Sequence, residues 1–196
     1  MAQPAQPNQS LIAGIRCLES VAAQGSPAGV RETARELGMD RTQVNRLLMT
    51  LEHIGVLGKT AAGQYVPGPG LHVLAALASE GSRLLKSSFA AMREWHADGF
   101  AATVGVLWHG RICHVLHARP EIPYDLAIGG KGISAASESA AGMVLQAFRA
   151  EDGNAAIRKR GFATRTFPDG TVSIGAPIGA DPDRKSTRLN SSHRIR

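Results

Sequence analysis

Arg41, Thr42, Gln43, Asn45 and Arg46 gather five hydrogen-bonding side chains into the stretch "GMDRTQVNRLLMTLEHIG", residues 38–55. A guanidinium can donate twice to guanine O6 and N7, and an Asn or Gln carboxamide can pair with an adenine edge. Arg41 and Thr42, where the stretch opens, also suit phosphate oxygens, which favour a helix start. The chemistry is recognition of an ordered polar partner.

These side chains need a helix with one buried face. Val44, Leu47, Leu48, Leu51 and Ile54 recur at i, i+3, i+4, i+7 spacing. Asp40 can accept from the first orphan N–H groups and Gln43 can reach back, as in a capping box. The spacing predicts a helix from about Arg41 to Gly55, with Thr42, Asn45, Arg46, Met49 and His53 opposite the apolar stripe. In isolation such a face reads more readily as solvated surface, and Arg46 has Glu32 or Glu36 as alternative partners.

Context favours recognition. A short helix from about Val30 to Leu37 turns Val30, Ala34 and Leu37 inward and Arg31, Glu32, Arg35 and Glu36 outward, and Gly38 stops it. Only "GMD" separates it from the next helix, which is the helix-turn-helix spacing, with the second helix as reader. Ser10 can cap an earlier helix carrying Leu11, Ile12, Ile15, Leu18, Val21 and Ala22. Val56–Lys59 and Gln64–Val66 flank a turn ending in Gly63 and read as a hairpin, a wing that offers Lys59, Thr60, Gln64 and Tyr65 to a phosphate backbone. "PGPG" at 67–70 marks a boundary. A helical run follows at Leu71–Ser79, a kink is expected at Gly81, and Leu84, Leu85, Phe89, Met92 and Trp95 form a second stripe suited either to a dimer surface or to a core.

From Ala102 the pattern changes to β-branched and apolar runs. Ala102–Leu107 and Ile112–Leu116 predict a hairpin turning at "HGR", and residues 170–178 another strand. Between them "YDLAIGGKGISAASES" reads as a strand and a Gly-rich loop, followed by a helix from about Ser137 to Phe148. Gly130, Ser134 and Ser137 there could offer N–H groups and a helix dipole to a carboxylate, or the serines could simply cap the helix. The stretch is no nucleotide loop: Asp125 stands where the first Gly of G-x-x-x-x-G-K-[ST] belongs, and Gly132 follows Lys131. No cofactor is expected. Ser137 and Ser139 flank Glu138 without a G-x-S-x-G frame, so no enzyme is expected. His114 and His117 on one strand point to opposite faces unless a bulge intervenes, and His109 lies at the turn, so no metal site is expected.

The totals bound these readings. At 196 residues and 43% hydrophobic, the chain can bury one large or two small cores. No run reaches the ~18 to 20 apolar residues of a membrane span, and "MAQPAQPNQS" lacks a basic start and an apolar core, so a cytoplasmic location is expected. Cys17 and Cys113 read as ordinary buried thiols. The net charge of +6 is concentrated at one end: residues 183–196 hold five Lys/Arg and one Asp, against 17 basic and 15 acidic groups in residues 1–182. That tail, "DRKSTRLNSSHRIR", resembles a translated sequencing adapter. It is expected to lie outside the natural fold, with the natural protein continuing beyond residue 182.

The stretches "AGVRETARELGMDRTQVNRLLMTLEHIGVL", "GQYVPGPGLHVLA", "SAASESAAGMVLQAF" and "IRKRGFATRTFPDGTVSIGAPI" are similar in order and kind to the IclR family of bacterial transcriptional regulators, over residues 10–182. The resemblance implies an α+β chain: a winged helix-turn-helix, a linker helix and an incomplete GAF-like α/β effector-binding domain. The implied division is a disordered arm at 1–9, the DNA-binding domain at 10–68, linker and dimerisation helices at 69–96, the truncated effector domain at 97–182 and a non-native tail at 183–196. It also implies dimers or tetramers on a double-stranded operator, with affinity altered by a small organic or aromatic acid. By the family motif, Ala140 and Ala141 would line the effector pocket and Ser173 would face them. The chain departs from the family in having only "RAEDGNAAI" before "RKRG", where the family carries a longer segment, and in replacing acidic residues after "RG" with "FATRTF". A ligand-binding protein that no longer grips DNA is the alternative function, and a small-molecule hydrolase a weaker one.

Overall fold

The computed structural model describes residues 6–124, 132–149, 153–178 and, for the backbone, 189–195. The chain divides into two compact units, residues 1–82 and 83–196. The fold is α+β, with a helical first unit and a second unit of strands and helices.

The first unit runs α1 (Gln9–Ala23), α2 (Val30–Leu37), α3 (Arg41–His53), β1 (Leu57–Lys59), β2 (Tyr65–Pro67) and α4 (Pro69–Gly81). Its core is Cys17, Val21, Ala28, Ala34, Val44, Leu48, Leu57 and Tyr65. Gly38 takes the left-handed conformation, φ 63°, and its N–H closes α2 on the Ala34 and Arg35 carbonyls. Asn8, not Ser10, caps α1: its side chain accepts from the Leu11 N–H, and Ser10 already lies inside the helix. The stripe that α1 buries is Ala13, Cys17, Ser20 and Val21, and Leu11, Ile12 and Ile15 remain exposed. Ile54 also departs from the expected stripe and is 60% exposed. It sits at the C-cap of α3 with φ −85° and ψ 6°, outside the regular winding that buries Val44 and Leu48.

"PGPG" joins the helices to the hairpin by backbone contact. Gly68 N–H donates to the Val56 carbonyl at 2.9 Å and Gly70 N–H to the Gly55 carbonyl at 2.8 Å. A Cβ at Gly68 would lie 2.6 Å from the Leu57 carbonyl carbon, and one at Gly70 would lie 2.7 Å from the Gly55 oxygen. The start of α4 is therefore seated directly on the chain that leaves α3.

In the second unit α5 (Arg83–Ala97) precedes β3 (Ala101–Trp108) and β4 (Arg111–Ala118). Next come β5 (Ile133–Ala135), a 3-10 turn (Ala136–Glu138), α6 (Ala140–Arg149), α7 (Ala155–Arg160), β6 (Ala163–Thr166), β7 (Val172–Ile178) and β8 (Leu189–Ile195). The β3–β4 turn places His109 and Gly110 at φ 46° and 76°, the paired positive dihedrals of a tight hairpin. The sheet order is β5-β4-β3-β8-β7-β6, with antiparallel neighbours. One face, with Ala102, Val104, Leu116 and Ala118, packs on Met92 of α5. The other, with Leu107 and Ile112, packs on Ala141 and Leu145 of α6.

Two features of the second unit depart from expectation, and one expectation lies outside the described residues. Neither α7 nor β6 shows in the sequence pattern, because each is too short to complete a period. The strand expected from Tyr124 onward lies mostly outside the described residues. The tail at 183–196, expected outside the fold, contains β8, which is paired to β3 on one side and β7 on the other. A ladder uses main-chain N–H and C=O groups that every non-proline residue carries, so a strand can be paired without an apolar alternation of its own. Among the described residues no helix is long and apolar enough to cross a membrane.

The close approach at Gly70 gives a direct test. Gly70→Ala is expected to cost about 1 to 3 kcal/mol in urea unfolding, as overpacking does. Gly81→Ala, at a helical position with nothing within 4 Å, should leave stability unchanged or slightly raised. Equal stability of both variants would show that the seam is not tight.

Candidate functional site

The start of α3 is fixed by its cap. Asp40 is extended, and its Oδ1 accepts from the Thr42 N–H at 2.8 Å and the Gln43 N–H at 3.0 Å. These two amides are thereby taken, so contact with a phosphate here falls to side chains. Gln43 does not return the bond; its side chain is exposed and without a hydrogen bond among the described residues. Val44 and Leu48 are wholly buried, which turns Arg41, Thr42, Gln43, Asn45, Arg46 and Met49 to the surface. Arg46 does not brace α2. Glu36 instead accepts from Ser20 Oγ at 2.6 Å and Gln24 Nε2 at 3.1 Å, and Arg46 has no ion pair among the described residues.

The wing offers less than the sequence suggests. Tyr65 is a core residue, 1% exposed, and its backbone exchanges two 2.8 Å hydrogen bonds with Ala28. Its ring is held inside the unit, which removes it from the expected phosphate contacts. Thr60 is spent on the turn, accepting from the Gln64 N–H at 3.2 Å through Oγ1, while Gln64 Nε2 donates to the Pro27 carbonyl. Lys59 remains, its Nζ 5.2 Å from the Tyr65 ring centroid. Residues 1–82 contain six Lys/Arg and six Asp/Glu, so any attraction for an anion is local to the face carrying Arg41, Arg46 and Lys59.

In the second unit the register brings several polar side chains to the α6 face of the sheet. A bulge lies between Val104 and Gly105 in the β3–β4 register, so that His114 pairs with Gly105 and His117 with Thr103. Residues 103 and 105 share a face, and so therefore do both histidines, contrary to the expectation of opposite faces. Leu107 and Ile112, on that same face, meet α6. Ser134 pairs with Ile112 and joins them. Ser173 lies two residues from Gly175, whose Cβ would fall 2.5 Å from the Ala140 backbone, so Ser173 also faces α6. Ala140 and Ala141 are wholly buried and give that helix its close approach to the sheet. Ser137 is exposed, with its carbonyl accepting from Arg165 at 3.0 Å. The helix cap is Ser139, whose Oγ accepts from the Gly142 N–H at 2.9 Å. Gly130 lies outside the described residues. The shared face of His114 and His117 with Thr103 escaped sequence reasoning because a bulge leaves no mark on composition.

Residues 10–61 match the family model of the IclR helix-turn-helix domain. The chain carries an IclR helix-turn-helix domain. A comparison with curated proteins gives no match. Among solved structures, the fold is similar to an IclR family transcriptional regulator from Brucella abortus, with TM-score 0.76, 14% identity, and 98% of this chain and 83% of that chain covered. It is similar to a transcriptional regulator of the same family from Alicyclobacillus acidocaldarius at TM-score 0.72 and 17% identity, covering 97% and 88%. It is also similar to an IclR homolog from Microbacterium hydrocarbonoxydans complexed with 4-hydroxybenzoate, at TM-score 0.62 and 15% identity, covering 95% and 88%. The likeness to these structures extends over nearly the whole chain and is one of fold.

The remaining chemistry of the chain is muted. Burial pushes the Cys17 thiol up, with Arg16 opposing, and burial likewise raises Cys113, so thiolate formation is disfavoured at both. Among the described residues no three His, Cys, Asp or Glu side chains gather as metal ligands.

For the α3 face, Arg46→Ala is expected to lose about 1 to 3 kcal/mol of operator binding and relax base preference. Lys59→Ala should weaken specific and random duplexes alike. Titration of both variants against both duplexes separates the roles, and equal loss on the two for Arg46→Ala would reassign it to phosphate.

Proposed function

We propose that the chain is a DNA-binding transcriptional regulator of the cytoplasm that grips a double-stranded operator as a homodimer, with affinity set by a small organic or aromatic acid in its second unit. The observation that carries this reading is the outward face of α3, where Arg41, Thr42, Gln43, Asn45 and Arg46 stand exposed behind a capped helix start, with Lys59 on the adjoining wing. Helix-turn-helix dimers place two such helices in successive major grooves. Thr60 supports the wing turn, and Tyr65 supports it from the core.

Dimerisation is favoured by apolar surface within the first unit. Leu11, Ile12 and Ile15 of α1 and Val73, Leu74 and Leu77 of α4 are exposed, and α4 buries no residue of its own. Each of these helices leaves apolar surface that a second copy would cover.

The effector reading rests on the α6 face of the sheet. Ser134, Ser173, His114, His117 and Thr103 present hydroxyl and imidazole groups there, beneath Ala140 and Ala141, with Gly130 and Ser137 on the chain that leads into α6. Such a mixture of apolar wall and few polar groups suits a small carboxylic acid. The relative complexed with 4-hydroxybenzoate makes that compound the first probe.

Gel shift of the upstream DNA fragment against salt tests the reading. Neutralisation of about six phosphates per dimer gives a log–log slope of about −5. Salt-insensitive binding, or no binding to any upstream fragment, would favour the alternative of a ligand-binding protein without DNA. An aromatic acid is expected to raise the thermal midpoint and change the operator midpoint together.

A further inference from the structure

Met49 is out of keeping with its surroundings. Successive helical residues turn by about 100°, which sets Met49 about 130° from the centre of the Val44, Leu48 and Leu51 stripe, between Asn45 and Thr42 on the outward face. It is 51% exposed, a large apolar side chain at the centre of an otherwise polar face. Its sulfur is engaged on that face: Asn45 Nδ2 donates to Met49 Sδ at 3.5 Å, which fixes the Asn45 carboxamide relative to the thioether.

An isolated apolar group among hydrogen-bonding neighbours does not suit a protein partner, which calls for contiguous apolar area. Ile54, the exposed apolar residue at the C-cap of α3, is turned about 140° away from Met49 around the axis. A base edge fits better. The major groove presents one apolar group, the thymine C5-methyl, beside the acceptors and donors that Arg and Asn read. Asn45 and Met49 are one turn apart, about 6 Å along the helix, which spans about two base-pair steps at ~3.4 Å each.

We propose that Met49 is a specificity-determining residue that reads a thymine methyl, within about two base pairs of the pair contacted by Asn45. The proposal rests on the operator-binding reading above. Met49 packs on the methyl through its own terminal methyl and sulfur, while Asn45, oriented by the sulfur, takes an adenine edge. The preferred half-site then carries adjoining A·T pairs at this place.

The test uses the full chain. Duplexes are selected from a random pool, and in the best duplex each thymine is replaced in turn by deoxyuridine, which removes only the C5-methyl. One position per half-site is expected to weaken binding about fourfold, the value of one buried methyl. With Met49→Ala the same replacement should change affinity less than 1.5-fold, and with Met49→Leu the dependence should return. Met49 is exposed, so neither substitution disturbs the core, and binding to random duplex serves as the folding control. Absence of any methyl-sensitive position, or a methyl effect that survives Met49→Ala, would overturn the proposal while leaving operator binding intact. Failure to select any duplex would overturn both readings together.

Discussion

The burial of Val44 and Leu48 fixes the rotation of α3 about its own axis, and the outward face follows from it. Both side chains are wholly enclosed by α1, α2 and the wing residues Leu57 and Tyr65. A slip of one residue would turn the helix by about 100° and carry Arg46 toward the core, where an unpaired guanidinium cannot be accommodated. Asp40 locks the axial position as the stripe locks the rotation, since its carboxylate bonds two specific amides. Together they display Arg41, Thr42, Asn45, Arg46 and Met49 as one surface. The same constraint explains why Tyr65 is unavailable to a phosphate: its ring completes the enclosure.

The glycines at 68 and 70 extend that constraint to α4. With no Cβ, each lets one backbone lie against another, and both contacts converge on the residues that leave α3, Gly55 to Leu57. Any displacement of the first turn of α4 is therefore felt at the C-terminal end of the recognition helix. In the second unit the close approach recurs: Gly175 admits the Ala140 backbone and Gly142 that of Ala136. Small residues that read as a pocket wall in the sequence also serve to bring helix and sheet together.

Legibility in the sequence followed the length of each periodic signal. The first three helices of the first unit, the Asp40 cap, the Gly38 stop and the β3–β4 hairpin all rest on complete periods or on residues with few conformational options. Ile54 was misplaced because the pattern extends one residue past the last regular turn. Leu11, Ile12 and Ile15 were misplaced because a helical stripe does not say whether a neighbour reaches its far end. The α7 and β6 elements are too short to announce themselves, and the shared face of His114 and His117 depends on a bulge. The pairing of β8 came from main-chain groups, to which side-chain patterning is blind.

The central claim is that the exposed face of α3 occupies the major groove. Dimethyl sulfate protection separates the grooves, because guanine N7 lies in the major groove and adenine N3 in the minor. On DNA bound by the full chain, protection is predicted at guanine N7 in two patches about one helical turn apart, with one guanine in each patch regaining reactivity in the Arg46→Ala complex. Protection confined to adenine N3, or an N7 pattern that Arg46→Ala leaves unchanged, would contradict it.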